Sequence, residues 1–377
     1  MLIIINIIIL IHSTKKKLQK LFKKFTYGLF KLLYGKINGY EDIGKISDSK
    51  VLYSEINNNF KYKVYIIKHA KLYTDTINDT AYIHDQKIIE GPSFQIRNTN
   101  FSHIENNIVL EKGTPRFQKV LKGKVLSLLS GGAGNYNYWH WLFDILPRIK
   151  IVENKFDLND IDYFLLPNNS RRFQEETLEL IDIPKKKQLS SLEYRHIKAD
   201  EIIASDHPYV TGNNATSAIQ NLPEWIIDWL RDKFTKNLNL NDSKFPTKFY
   251  IDRGDASPNI SKLRQIINEK EVIDKLSRHN FKVIKLSDHS FKDQIKLFFN
   301  AKKIVGLHGA GFANVMFGNP ELKMLELKPS GAGKMCENLA KKCNVNYDCI
   351  SVVPEKYNFN NQMGHIRVDL NELENKL

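Results

Sequence analysis

Lys303-Ile304-Val305-Gly306-Leu307-His308-Gly309-Ala310-Gly311-Phe312-Ala313-Asn314, resumed after a break by Lys323-Met324-Leu325-Glu326-Leu327-Lys328-Pro329, is the stretch on which the fold turns. Residues 304–307 form a short apolar run that ends in a histidine and a Gly-x-Gly turn. Residues 312–317 suit a short helix, Gly318-Asn319-Pro320 breaks it, and a second apolar strand follows that carries one acid, Glu326. Strand, glycine turn, helix and strand is the order in which an open α/β sheet offers backbone N–H groups to an anion.

The alternation continues on both sides. Strands are predicted at 249–251, 282–286 and 347–352, with helices at 262–278, 291–301 and 334–343. That pattern means βαβ units and a parallel sheet. Upstream, 125–129, 162–167 and 197–205 read as buried strands, and 136–148, 171–181 and 223–237 read as helices. Residues 64–67, 81–83 and 108–110 are short β-like runs between Asn, Asp and Gly breaks. The 377 residues suffice for two α/β domains, 37–236 and 248–352, joined by a polar linker at 237–247.

A net charge of +14 suggests nucleic acid until it is localised. Residues 15–36 contain eight lysines and no acid, so most of the excess lies in one segment. Neither zinc-finger spacing nor an RNP-like aromatic motif is present, and nucleic acid is not an expected partner. Cys336, Cys343 and Cys349 have no CxxC spacing, which fits reduced thiols in a cytoplasmic compartment.

In segment 1–36, Leu2 to Ile11 are almost wholly aliphatic but amount to about half of what a bilayer span requires, and the positive charges follow the apolar run rather than precede it. Leu18, Leu21, Phe22, Phe25, Leu29, Leu32 and Leu33 then recur at helical spacing, with lysines on the other face. The pattern predicts a helix at an anionic membrane surface, or else an N-terminal helix packed on its own domain.

The residue types that carry chemistry fall into two groups. His308, Gly309, Ala310 and Gly311 lie at the carboxyl end of a predicted strand, where glycines permit close approach and a helix dipole favours an anion. His308 can donate to a phosphate oxygen, although Gly309-x-Gly311-x-x-Asn314 is only part of a dinucleotide fingerprint. Glu326 stands where a ribose-binding acid usually stands, and Arg253 and Arg264 are candidate cationic clamps. In the first half, His140, Asp144 and Arg148 fall at i, i+4 and i+8. His140 can be a base oriented by Asp144, or Asp144 and Arg148 can form an ordinary helical ion pair. There is no Gly-x-Ser-x-Gly elbow, Gly331-Ala332-Gly333-Lys334 is not a P-loop, and the Asp160-Ile161-Asp162 spelling precedes its strand instead of following one.

Two segments taken together resemble glycosyltransferase family 61: Asn137-Tyr138-Trp139-His140-Trp141-Leu142-Phe143-Asp144-Ile145-Leu146-Pro147-Arg148 and Ile304 through Asn314. Tyr250-Ile251-Asp252-Arg253, Leu263-Arg264-Gln265-Ile266-Ile267-Asn268-Glu269, Gln294-Ile295-Lys296-Leu297-Phe298 and Leu325-Glu326-Leu327 extend the likeness over roughly residues 125–350. The family includes plant xylosyl- and arabinosyltransferases, eukaryotic O-GlcNAc-type transferases and bacterial capsule or lipopolysaccharide enzymes.

The resemblance implies a GT-B-like α/β fold, with two Rossmann-like domains facing across a cleft and the tail, 353–377, returning toward the N-terminal domain. It implies inverting transfer without a metal or other cofactor, from a nucleotide-sugar donor to a hydroxyl of a glycan or lipid-linked glycan. The expected setting is surface polysaccharide synthesis (capsule, lipopolysaccharide or exopolysaccharide), in the cytoplasm or peripherally on the inner face of the cell membrane. Arg253, Arg264, His308, Gly309, Ala310, Gly311, Asn314 and Glu326 become donor-site candidates, and His140 and Asp144 candidates for the base and its orienter. Loop 252–261 departs from the family, since many relatives have a second Arg after the first. A non-catalytic scaffold, or a nucleotide-sugar epimerase, is the alternative. An epimerase needs a tyrosine–lysine pair and a fuller glycine fingerprint, and neither is found.

Overall fold

The computed structural model describes residues 2–74, 80–97, 100–129, 137–210, 214–254, 263–355 and 363–377, with side chains from residue 14 onward except at 97 and 100–102. The glycine-rich segment 130–135 and residues 255–261 of the loop after Arg253 lie outside the described residues.

The chain is mixed α/β and builds two principal sheets. The larger has ten strands, and four of them form one contiguous parallel block: β1 (Lys119–Ser127), β2 (Tyr163–Leu166), β3 (Gln188–Ser190) and β4 (His196–Ser205), in the order β4-β1-β2-β3. Antiparallel strands Phe60–Lys68 and Lys71–Thr74 add to the far side of β4. The second sheet is wholly parallel: β5 (Lys248–Asp252), β6 (Lys282–Lys285), β7 (Lys303–Leu307), β8 (Lys323–Pro329) and β9 (Asn346–Val352). Its order, β6-β5-β7-β8-β9, is one of the two common doubly wound orders. The chain passes to one side of β5 for β6 and to the other side for β7. The crevice at the carboxyl ends of β5 and β7 is therefore the switch point, where such sheets bind ligands.

The strands of this sheet read as apolar runs because helices cover both faces, and Tyr250, Ile304, Val305 and Leu327 are fully buried. A single apolar cluster joins the two halves. Trp139, Trp141 and Leu230 from the first share it with Phe291, Phe312, Phe317 and Leu339 from the second. The expected linker is held to the second half by Asn300, which donates to the Leu240 carbonyl at 2.7 Å, and by buried Phe245.

Four expectations need correction. Residues 108–110 are helical, not extended: Ile108–Lys112 is a short helix, capped by the Asn107 side chain accepting from Val109 N and ended by Gly113 at φ +68°. Caps at both ends override the β-preference of Ile-Val-Leu. The helix expected at 262–278 begins only at Glu269, so Arg264 lies on an extended segment before it. The helix carrying His140 is not uniform. Residues Trp141–Ile145 form a π turn, because Pro147 has no N–H to offer the Phe143 carbonyl and Leu146 N reaches back to Trp141 O instead. The described part of the tail, finally, packs on the second half and not the first: Ile366, Val368 and Leu373 lie with Tyr250, Val272 and Val305 on the second sheet.

Candidate active site

The first centre sits beyond the carboxyl ends of β1 and β4. Asn137 caps a short helix by accepting from Trp139 N, and the π turn that follows brings His140 and Asp144 together. His140 Nδ1 lies 2.8 Å from Asp144 Oδ2, with Asp144 buried and His140 partly exposed. Burial pushes the Asp144 carboxyl up, but the charge and hydrogen bond of His140 and the nearby His207 hold it far below the usual range. An ionised carboxylate only accepts, so Nδ1 carries the proton and Nε2 is left with a lone pair. Burial lowers the His140 pKa and Asp144 raises it, and the net shift is upward.

Sequence reading missed the residues that complete this centre. The Tyr209 hydroxyl donates to Asp144 Oδ1 at 2.5 Å. His207 Nδ1 accepts from Tyr209 N and Val210 N, which leaves Nε2 as the protonated nitrogen, 3.8 Å from Asp144 Oδ2. Burial depresses the His207 pKa, so this imidazole stays neutral. The only available signal was a polar Asp206-His207-Pro208-Tyr209 run directly after a strand. The alternative pairing of Asp144 with Arg148 is not formed. Arg148 is fully buried and instead ties two strand ends together, donating to the Leu129 carbonyl, the Ser205 carbonyl and the Ser205 hydroxyl.

The second centre is the switch point itself. Arg253 Nη1 and Arg264 Nη1 both donate to the His308 carbonyl, at 3.1 and 2.8 Å. Two guanidinium groups thus converge on the turn that opens the 3₁₀ helix Ala310–Phe317. The first-turn N–H groups of a helix have no partner inside it, which makes this end receptive to an anion. A Cβ at Gly311 would stand 2.9 Å from a terminal methyl of Leu286, which would have to shift, whereas one at Gly309 would make ordinary contact with the Arg253 guanidinium at 3.4 Å. Burial, then the charge of Arg253, lowers the Arg264 pKa to about 10, so this guanidinium remains cationic at neutral pH. The extended segment bearing Arg264 is fixed by the tail, through Gly364 N to Leu263 O, Ile366 N to Gln265 O and Ile267 N to Ile366 O.

Glu326 is not the open carboxylate that a ribose would meet. It lies inside β8, fully buried, with one oxygen 2.5 Å from His308 Nδ1 and the other accepting from the Tyr347 hydroxyl at 2.6 Å. Burial alone would raise its pKa, but His308, Tyr347 and Lys328 outweigh it and hold the carboxylate ionised. Its geometry orients the His308 ring. With Nδ1–H committed to Glu326, His308 Nε2 holds a proton for a phosphate oxygen only in the imidazolium form. His308, Glu326 and Cys336 also make up the one group of possible metal ligands among the described residues, their donor atoms lying within 4.8 Å of one another. His308 and Glu326 already satisfy each other, and Tyr347 takes the remaining carboxylate oxygen, so the group is a closed hydrogen-bond cluster.

Asn314 joins the two centres. It is fully buried, accepts from the Tyr138 hydroxyl at 2.6 Å and donates to Gln294 at 3.0 Å. Tyr138 opens the helix that bears His140, and Asn314 lies on the 3₁₀ helix that follows β7, so this hydrogen bond joins the two halves. The structure therefore brings His140 and Asp144 into one centre, gathers Arg253, Arg264, His308, Gly309, Ala310 and Gly311 into the other, and makes Asn314 the link between them. Residues 138–325 match the family model described as Glycosyltransferase 61, a range that begins at Tyr138 and ends one residue before Glu326. No curated protein matches the chain.

Proposed function

The chain belongs to glycosyltransferase family 61 and is a glycosyltransferase, and from that premise we propose that it moves a sugar from a nucleotide-sugar donor to a glycan hydroxyl, with inversion and without a metal ion. The observation that carries this reading is the convergence of Arg253 and Arg264 on the His308 carbonyl at the switch point. The donor diphosphate rests against the turn at 308–311, and the two guanidinium groups neutralise the charge that develops on the leaving group. That supply of positive charge does the work a divalent cation does elsewhere.

The acceptor hydroxyl approaches from the side of the first sheet and loses its proton to His140 Nε2, while Asp144 stabilises the imidazolium that forms. Attack from the side opposite the diphosphate inverts the anomeric carbon. A GT-B-like arrangement, with Rossmann-like halves meeting at their carboxyl ends, is supported by the parallel block in each half and by the Tyr138–Asn314 bond between them. Surface polysaccharide synthesis on the cytoplasmic side, with a glycan or lipid-linked glycan as acceptor, is the setting we assign; three free thiols fit that compartment.

Calorimetry with UDP and a panel of other nucleoside diphosphates tests the reading. Binding that is lost in Arg253→Ala supports it, and no binding by any of them refutes it. Turnover unaffected by EDTA supports the metal-free mechanism, and turnover abolished by EDTA overturns it.

A further inference from the structure

The N-terminal helix, Leu2–Tyr34, is attached to the body through its last turns. Phe30 stacks edge-on against Phe117 at 5.2 Å, Tyr34 does the same against His196 at 4.9 Å, and the Tyr34 hydroxyl accepts from Gln118 N. The apolar face seen in the sequence is not the face that packs. Leu18, Leu21, Phe22, Phe25, Leu29, Leu32 and Leu33 are each 44–87% exposed. At 3.6 residues per turn they fill one arc of about 120°, with Phe30 and Tyr34 outside it. Lys16, Lys17, Lys20, Lys23 and Lys24 are exposed on the rest of the circumference, and the helix contains no acid.

The body continues this surface. Phe117, the residue against which Phe30 stacks, is 77% exposed, and Val120, at the amino end of β1, is 72% exposed. Exposed Lys119, Lys122 and Lys198 flank them, Lys198 being the register partner of Val120 on β4. Helix and rim thus meet where Phe30 touches Phe117, and each exposes apolar side chains edged with positive charge. Among the described residues no helix is long and apolar enough to cross a membrane.

We propose that helix and rim together are a membrane-docking face. The helix lies in the interface of an anionic bilayer, and the amino-end rim of β1 and β4, with Phe117 and Val120, seats the body beside it. Charge decides the occupant. A second copy of this chain would bring the same lysines against one another, whereas anionic headgroups neutralise them. The docking face lies at the amino ends of the parallel strands, and His140 and Asp144 lie at their carboxyl ends. Nine residues of β1 separate the two rims, which is about 30 Å along the sheet. The reacting centre is held at the opposite rim from the lipid.

Sedimentation of the full chain with vesicles of phosphatidylcholine, alone or mixed with phosphatidylglycerol, tests the proposal. Binding is expected to be about tenfold or more stronger on the mixed vesicles. It should be lost in Phe22→Asp/Phe25→Asp and weakened several-fold in Val120→Asp, with circular dichroism unchanged because all three side chains are exposed. Equal binding to both vesicle types, or binding by the Phe22→Asp/Phe25→Asp variant at the native level, overturns it. So does a concentration-dependent dimer in lipid-free buffer that the same variant dissolves, since a second copy then covers the face. Nucleotide calorimetry on the same samples separates the two proposals, because loss of vesicle binding leaves the donor site intact.

Discussion

Tyr209 donates its hydroxyl hydrogen to Asp144 at 2.5 Å, on the carboxylate oxygen that His140 does not use. The buried carboxylate is thereby held from both sides, and the imidazole is fixed in one orientation. Tyr209→Phe removes one grip and nothing else. It is expected to lower stability by about 1–3 kcal/mol in denaturant melts. It should also reduce kcat about tenfold while leaving nucleotide affinity unchanged. A variant as active as the native chain would exclude Tyr209 from positioning Asp144.

His140→Ala should lower kcat by about 10²–10⁴-fold, again with nucleotide affinity intact. The base acts when neutral. Because the His140 pKa is raised by Asp144, the acid limb of the rate profile should lie above 6.5, the ordinary histidine value. Asp144→Asn removes the charge that raises it and leaves burial to act alone. The limb should then move to lower pH as the maximal rate falls.

The same pair makes stability depend on pH. Folding raises the His140 pKa, so its contribution is full below 6.5 and fades as pH rises through the raised value. Folding lowers that of Asp144, whose contribution is full above 3.8 and fades as pH falls toward the depressed value. The difference in melting temperature between the native chain and His140→Gln should therefore be largest between those two values.

Much of this molecule can be read from its sequence. The parallel sheet was legible because each strand is a short apolar run and each helix has a clear amphipathic period. The turn at 308–311 was legible because a Gly-x-Gly follows directly on an apolar strand, at the end where such sheets bind ligands. The setting of Glu326 was not, since nothing local says that Tyr347 and His308 will both turn toward it. Tyr209 was equally hidden, because its partner lies 65 residues away and the contact exists only once β4 pairs with β1. The π turn at Trp141–Ile145 had a visible cause in Pro147, but its effect on which side chains meet depends on the backbone path.

Arg264→Ala should weaken binding of a nucleoside diphosphate by about 10–100-fold, the range set by about 1.5–3 kcal/mol for a charged hydrogen bond. Arg264→Lys keeps the charge and loses the planar fork, and should recover only part of the affinity. Full recovery would mean that charge alone matters there.

Asn268→Ala tests how Arg264 is held. Asn268 pairs with the Val368 backbone through both ends of its amide, donating to its carbonyl and accepting from its N–H. Loss of both bonds should loosen the segment and raise KM for the donor, with kcat little changed. A lowered kcat at constant KM would point to a different role.

That pairing has a consequence for how the protein is made. Asn268 and Val368 are 100 residues apart, and the backbone on either side of Arg264 is held by residues 364–368. At about 5–20 residues per second, a ribosome takes about 5–20 s to cover that interval. All five strands of the donor-side sheet emerge before the segment that fixes this arginine. A chain released short of residue 364 would carry the sheet, the glycine turn and the His140 centre, yet leave half of the guanidinium pair unmoored.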